Sequence, residues 1–203
     1  MKYGMNLLLW SGELNEELIP VLESLKEMGF DGVEIPLFNI DLDYAAWGQR
    51  LDDLGLERTA VTVRNEEDNP ISSDAAVRAA GVDGTRRVLE CCAAVGATAL
   101  VGPYHSALGI FSGQGPTDDE WRWGMESMRE VAEHAGQAEV MLAVECLNRF
   151  ETYLLNTHAD STRFVREVDH PNCRMMYDTF HANIEEKDPA AAIRDCIDVL
   201  CHV

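Results

Sequence analysis

The sequence predicts an α/β protein of the (β/α)8, or TIM, barrel class. Short apolar runs typical of strands alternate with longer amphipathic stretches typical of helices, and this alternation favours parallel β/α units. The glycine-rich phosphate loops that open many doubly wound domains are missing, because no GxGxxG or P-loop lysine motif follows the first apolar run. The barrel is therefore favoured over the doubly wound open sheet, which remains the alternative.

Six apolar runs predict six strands, and the last five residues are expected to begin a seventh. The predicted strands are Tyr3–Trp10, Gly32–Ile35, Glu57–Val63, Ala97–Gly102, Val140–Glu145 and Arg174–Asp178, followed by the start of a strand at Val199–Val203.

Amphipathic spacing and end signals predict the helices between these strands. The first helix has apolar residues three or four apart and ends at Gly29, a residue that tolerates a left-handed cap. In the third helix Gly81 and Gly84 lie among apolar positions and indicate close backbone packing. Thr117–Glu120 fits a capping box, and Asp188 followed by Pro189 fits a helix start.

The chain is expected to form one domain over residues 1–203, since no linker or change of composition divides it. A TIM barrel closes with eight strands. Six β/α units and the start of a seventh strand therefore predict an incomplete barrel, and a chain that is truncated at its C-terminus relative to the complete fold.

Charge argues against two classes of partner. The sequence has 16 Lys+Arg and 36 Asp+Glu, a formal net charge of −20, which repels nucleic-acid backbones and anionic membranes. No apolar run approaches the roughly 20 residues of a membrane span, and the N-terminus lacks a signal-peptide pattern. The six cysteines have no CxxC spacing, so reduced thiols and a cytoplasmic location are expected.

Two carboxylates are the last residues of predicted strands, at the strand end where barrel enzymes place their reactive groups. Glu145 ends the fifth strand and Asp178 the sixth, so the two side chains are expected to be neighbours at the barrel mouth. Converging carboxylates repel each other unless a cation lies between them, which predicts a divalent metal held by Glu145 and Asp178. The structural alternative is that both acids cap helices or lie in solvated loops.

Other polar and aromatic residues fall in the same strand-end loops. Glu151 follows Glu145 and His181 follows Asp178, which places a second polar group on each loop. Trp10 and His105 lie at the predicted ends of the first and fourth strands, and each is a candidate to line the pocket.

Two segments of the sequence, Val144–Glu151 and Tyr177–Glu186, resemble the signature segments of ketose 3-epimerases, which act on D-tagatose and D-allulose and belong to the xylose isomerase-like barrels. Shorter matches extend this resemblance along the chain, at Met1–Gly4, Gly29–Glu34, Ser73–Gly81 and His105–Ser106. The loop Thr62–Asp68 departs from it, because it replaces a glycine-rich segment of several family members and so bears on substrate preference.

The resemblance implies a metal bound by Glu, Asp, His and Glu from four strand ends, of which Glu145 and Asp178 match the first two. The other two ligands would lie beyond Val203. It further implies that Glu145 exchanges a proton with C3 of a ketose through a cis-enediolate, that Glu151 and His181 bind the sugar, and that the metal is Mn²⁺, with Co²⁺ or Mg²⁺ as alternatives. A homo-oligomer, dimer or tetramer, is expected.

Three alternatives to a ketose 3-epimerase stay open at this point. One is another enzyme of the same superfamily, a hydroxypyruvate isomerase or an inosose dehydratase. A metal-dependent nuclease on a related barrel is disfavoured by the charge of −20 and by the shortage of histidines in the candidate loops. The third is a non-catalytic fragment, whose open sheet edges would invite pairing.

Overall fold

Seven parallel strands form one sheet in the computed structural model, which describes residues 1–203. Each strand pairs with the next one along the chain, in the order β1 to β7. Their bounds are β1 Gly4–Asn6, β2 Gly32–Pro36, β3 Glu57–Val61, β4 Ala99–Gly102, β5 Met141–Val144, β6 Cys173–Met176 and β7 Leu200–His202.

Helices connect successive strands and cover the outer face of the sheet. The α-helices are α1 Ile19–Glu27, α2 Tyr44–Leu54, α3 Ala75–Val95, α4 Asp118–Gln137, α5 His158–Val168, α6 Thr179–Glu185 and α7 Pro189–Asp195. Three short 3₁₀-helices lie at Leu7–Leu9, Glu16–Leu18 and Glu66–Asp68. None of the helices is both long and apolar enough to cross a membrane.

The predicted fold class is confirmed, since sequential parallel pairing with a helix in each connection is the topology of a TIM barrel. The barrel is incomplete over these residues, because the sheet has seven of the eight strands and β1 does not pair with β7. All seven strands have their carboxyl ends at the same edge, so the loops that follow them converge there.

Three local predictions are corrected. The first strand ends at Asn6 instead of Trp10, because the Asn6 side chain accepts a hydrogen bond from the Leu8 amide and caps a 3₁₀-helix. Glu145 and Asp178 lie just after β5 and β6 instead of inside them. The segment after β6 is the short helix α6, which sequence periodicity did not reveal because it has only seven residues.

The predicted helix ends are confirmed. Gly29 has φ 90°, and the Thr117 side chain accepts a hydrogen bond from the Glu120 amide while Glu120 bonds back to the Thr117 amide. Asp188 caps α7 by accepting from the Ala191 amide, with Pro189 as the first helical residue. These bonds satisfy amides that a helix end leaves without partners.

Alternate residues of the strands face two different environments. Ala60, Leu100, Leu142 and Met175 belong to a core of 40 buried residues that includes the inner faces of the helices. Their neighbours Val61, Val101, Ala143 and Met176 form a separate cluster, which we assign to the barrel interior because strand side chains alternate.

Glycine allows helix backbones to approach the neighbouring chain closely. A Cβ at Gly81 would meet the Asp68 carbonyl, and one at Gly84 would meet the Arg64 guanidinium, which confirms the predicted close packing of α3. In α2 a Cβ at Gly48 would lie 2.9 Å from the carbonyl oxygen of Val95. That oxygen also accepts a hydrogen bond from Arg58 Nε.

We expect Gly48→Ala to lower the free energy of unfolding by about 1–3 kcal/mol, because the methyl group must displace the end of α3. The gain in helix propensity, roughly 1 kcal/mol, offsets only part of this strain. Urea denaturation measures the change. Gly12→Ala is the matched control, since nothing lies within 4 Å of its Cβ position, and equal stabilities of the two variants would contradict the packing explanation.

Candidate active site

Glu145, Asp178 and His181 come together at the carboxyl ends of β5 and β6. One potential ligand atom from each of them lies within 4.8 Å of the other two. Glu145 is two residues beyond Ala143, and Asp178 is two beyond Met176, so both follow the inward-facing register of their strands. Parallel pairing of β5 with β6 then brings the two acids to the same edge of the sheet.

Glu145 is the most perturbed acid of this cluster. Its side chain is 13% exposed, and burial followed by repulsion from Asp178 raises its pKa from 4.5 to about 8. Glu34 and Glu151 add to that repulsion. A buried acid with its pKa raised in this way holds a proton near neutral pH, and a cation placed beside it would displace the proton.

Asp178 both caps a helix and retains an oxygen for another partner. Its Oδ1 accepts hydrogen bonds from the amides of Phe180, at 2.6 Å, and His181, at 3.0 Å. These bonds start α6 and fix the carboxylate plane, and neither amide bonds to Oδ2. The carboxyl groups of Asp178 and Glu145 lie close enough to share a hydrogen bond when one of them is protonated. The N-cap alternative is therefore correct for Asp178, and it leaves one oxygen able to bind a metal.

His181 is oriented by the loop after β5. Its Nδ1 accepts a hydrogen bond from the Asn148 amide at 3.1 Å, so in the neutral ring the proton is on Nε2. Nε2 points toward the acids and lies 3.6 Å from Glu145 Oε1. A ring nitrogen that carries a proton donates hydrogen bonds and does not bind a metal, so this arrangement makes His181 a donor to the site.

Glu151 lies on the same loop as Glu145 and is joined to His181 through one shared residue. The Asn148 side-chain amide donates to Glu151 Oε1 at 2.6 Å and lies 3.0 Å from His181 Nδ1. Asn148 is 2% exposed. Asn148 is a functional residue that was not predicted, and its only signal in the sequence is its place inside the signature segment between Glu145 and Glu151.

His105 was predicted to line the pocket, but it lies behind the site and does not line an open pocket. It is completely buried, and its Nε2 donates to the Glu145 carbonyl at 2.9 Å. Burial lowers its pKa to about 4, so the ring is neutral. His105 thus fixes the backbone that carries Glu145.

Trp10 lies beyond the 3₁₀-helix that follows β1 and is 49% exposed. Its predicted place in the pocket wall stays a prediction.

A second group of polar side chains lies inside the barrel around Glu34, a residue that was not among the predicted site residues. The Glu34 carboxylate accepts hydrogen bonds from Asn6 Nδ2 at 2.9 Å and Thr59 Oγ1 at 2.8 Å. His202 Nε2 lies 3.3 Å from it. Its signal in the sequence is a glutamate inside the otherwise apolar strand Gly32–Pro36.

An ion pair ties the loop after β5 to α6. The guanidinium of Arg149 donates to both oxygens of Glu185 at 2.6–3.1 Å, and the Arg149 amide donates to Glu185 Oε1 at 2.8 Å. The neighbouring Glu186 accepts from the amide and Nδ1 of His158 at the start of α5. These contacts hold the loop after β5, which carries Glu145, and the start of α5 against α6, which carries His181.

Comparison with known families assigns the chain. Residues 22–203 match a family described as xylose isomerase-like TIM barrels. The protein belongs to this family. The predicted relationship to ketose 3-epimerases is also confirmed, by similarity to several of them that extends over the whole of this chain.

Two relatives illustrate the similarity. A D-psicose 3-epimerase of Agrobacterium fabrum is 34% identical over 208 residues, which are 100% of this chain and 72% of the relative. An L-ribulose 3-epimerase of Mesorhizobium japonicum is 34% identical over 205 residues, 100% of this chain and 68% of the relative.

Solved structures agree with the fold. A D-allulose 3-epimerase from Methylomonas sp., in complex with D-allulose, superposes with a TM-score of 0.94 at 27% identity. The match covers 100% of this chain and 71% of the epimerase chain. A D-psicose 3-epimerase crystallised in the presence of D-fructose gives a TM-score of 0.90 at 34% identity, with 100% and 72% coverage.

The raised pKa of Glu145 predicts a stability change without metal. The folded state keeps a proton on Glu145 between about pH 4.5 and 8 that the unfolded state has lost, so its free energy of unfolding falls as the pH rises through this window. In chelator we expect Glu145→Gln to be more stable than wild type at pH 8, by on the order of 2 kcal/mol, and similar at pH 4.5.

Urea denaturation at the two pH values checks this expectation. Glu23→Gln is the control, since Glu23 is exposed on α1 and makes no ion pair. A Glu145→Gln effect of equal size at both pH values would contradict the raised pKa.

Proposed function

We propose that this protein catalyses the metal-dependent epimerisation of a free ketose at C3, on a sugar of the D-tagatose, D-fructose or D-allulose type. The observation that carries the proposal is the convergence of Glu145, Asp178 and His181 within 4.8 Å at the strand ends of the barrel. The names of the relatives, which include D-psicose, L-ribulose and ketose 3-epimerases, support the choice of reaction.

The donor set fits a divalent cation. Glu145 and Asp178 present carboxylate oxygens that repel each other when both are ionised, and no backbone amide occupies Asp178 Oδ2. Hard oxygen donors suit Mg²⁺ and Mn²⁺, and Mn²⁺ is our choice, with Co²⁺ as a further candidate. The bound cation supplies positive charge that stabilises the negative charge developing on the sugar oxygens.

Each protein residue then has a distinct task. Glu145 removes the proton from C3, next to the ketone, and a base on the opposite face returns a proton to the cis-enediolate, which inverts C3. His181 donates its Nε2 proton as a hydrogen bond to the sugar oxygen beside the reacting carbon. Glu151 binds a sugar hydroxyl, and Asn148 positions both Glu151 and His181 through its side-chain amide.

Other reactions on the same barrel are the alternatives that the experiment must separate. A relative named 3-dehydro-D-guloside 4-epimerase, from Escherichia coli, is 31% identical over 200 residues and is covered to 73% of its length. It favours proton transfer at C4 of a keto sugar as the second candidate. Hydroxypyruvate isomerisation, inosose dehydration and a non-catalytic fragment remain the further alternatives. A cytoplasmic dimer or tetramer stays a prediction.

We expect Mn²⁺ to bind the protein at the two acids, and isothermal titration at pH 8 measures it. Asp178→Asn and Glu145→Gln should each weaken binding about tenfold or more, because each removes a charged ligand. Lowering the pH from 8 to 6 should also weaken binding in the wild type, since protons compete for Glu145. Asp195→Asn, an exposed acid at the end of α7, is the control; equal binding by all variants would contradict the site.

The reaction is tested on the complete translated product of the gene, by following exchange of the C3 proton of D-fructose and D-allulose in D₂O by NMR. Glu145→Gln should lower kcat by about 10³-fold, the range of a lost general base. His181→Ala should mainly raise KM. Glu23→Gln should leave both constants unchanged.

Two results would overturn the proposed reaction. If the Glu145→Gln variant kept most of the activity, Glu145 would not be the base that removes the C3 proton. Turnover confined to hydroxypyruvate, or exchange at C4 of a 3-keto sugar, would assign the barrel to one of the other reactions.

A further inference from the structure

A cavity of about 290 Å³ lies outside the cluster of Glu145, Asp178 and His181, between the loops after β2 and β3 and the middle of α3. Half of its twelve lining residues are apolar, among them Leu37, Phe38 and Val88. Two arginines, Arg64 and Arg87, also line it. Arg64 belongs to the loop Thr62–Asp68, the segment in which the sequence departs from the ketose 3-epimerase pattern.

Arg64 is a buried cation with unused donors. Its side chain is 8% exposed, and it donates to Asp68 Oδ2 at 2.9 Å and to Thr62 Oγ1 at 3.0 Å. A guanidinium has five N–H groups, and Arg64 Nε is buried without any partner. Such groups cost free energy unless a ligand or water satisfies them.

The fold leaves room for this guanidinium at a specific point. A Cβ at Gly84 of α3 would collide with Arg64 Nη1, so the absence of a side chain there admits the charged group beneath the helix. Asp68 neutralises Arg64, but both oxygens of Asp68 are already engaged, by Arg64 Nη1 and by the Asn65 amide.

Arg87 adds a second positive charge to the cavity, whose lining also includes Asp68. Arg87 is exposed on α3 and makes neither an ion pair nor a side-chain hydrogen bond, although acids outnumber bases 36 to 16 in this chain. The neighbouring Arg86 pairs with Asp83 and Glu130. Arg87 is also close enough to Arg64 for their repulsion to contribute to the lowered pKa of Arg64, after the larger effect of burial.

We propose that this cavity binds a small organic phosphate, with its phosphate group between Arg64 and Arg87 and its carbon skeleton against the apolar wall formed by Leu37, Phe38 and Val88. Guanidinium groups pair with phosphate oxygens through two parallel hydrogen bonds, which favours them for this task. The volume exceeds that of a phosphate group alone, so it accommodates a few carbon atoms as well. The site is separate from the acid cluster and does not depend on the reaction proposed above.

The test is isothermal titration of the protein with inorganic phosphate and, separately, with glycerol 3-phosphate, at constant ionic strength set with sodium chloride. We expect both to bind, and glycerol 3-phosphate to bind more tightly because of the apolar wall. Arg87→Gln should weaken binding of both by about tenfold, the loss of one charge-assisted contact. Its thermal unfolding should match that of the wild type, since Arg87 is exposed and has no partner.

Arg194→Gln is the matched control, because Arg194 is also an exposed arginine without an ion pair, on α7. It removes the same charge and should leave binding unchanged. If Arg87→Gln and Arg194→Gln weakened phosphate binding equally, the loss would come from the change in net charge alone, and the proposed site would be wrong. Absence of binding by the wild type would also contradict the site. Equal affinities for inorganic phosphate and glycerol 3-phosphate would contradict the proposal that the apolar wall binds a carbon skeleton.

Discussion

The site depends on the parallel pairing of β5 with β6, which forces two carboxylates to the same edge of the sheet. Glu145 and Asp178 follow the inward register of Ala143 and Met176 just beyond the strand ends. Hydrogen bonds to the Glu145 carbonyl and to Asp178 Oδ1 keep them there. The resulting repulsion and burial raise the pKa of Glu145 to about 8. The fold therefore keeps the Glu145 and Asp178 carboxylates close together despite their repulsion, and a bound cation would neutralise that repulsion.

Much of the surrounding structure keeps the acids and their neighbours from moving apart. His105 fixes the Glu145 backbone by donating a hydrogen bond to its carbonyl. The hydrogen bonds by which Asp178 caps α6 also set the orientation of its carboxylate. Asn148 orders His181 and Glu151 together. Because the same hydrogen bonds serve local structure and the site, functional and structural roles do not separate cleanly here. Asp178 is the clearest case, since it is both an N-cap and a candidate metal ligand.

Charge is distributed unevenly over a molecule of net charge −20. Most of its arginines are committed to acids, carbonyl oxygens or aromatic rings, as in the bidentate contact of Arg149 with Glu185. Arg64 and Arg87 differ, since one is buried with donors left over and the other has no partner. Two local groups of opposite charge therefore lie in the strand-end loops, acids after β5 and β6 and guanidiniums between the loop after β3 and α3.

Sequence alone determined the order of the strands and of every α-helix except α6, the predicted cap residues and the placement of Glu145 and Asp178 at strand ends. These features follow from local periodicity and from motifs a few residues long. The sequence did not determine the tautomer of His181, the buried place of His105 or the role of Asn148, since each depends on a hydrogen bond between different strand-end loops. The cavity at Arg64 likewise depends on tertiary structure. Its parts come from two loops and α3, and only folding brings a glycine of that helix over the guanidinium.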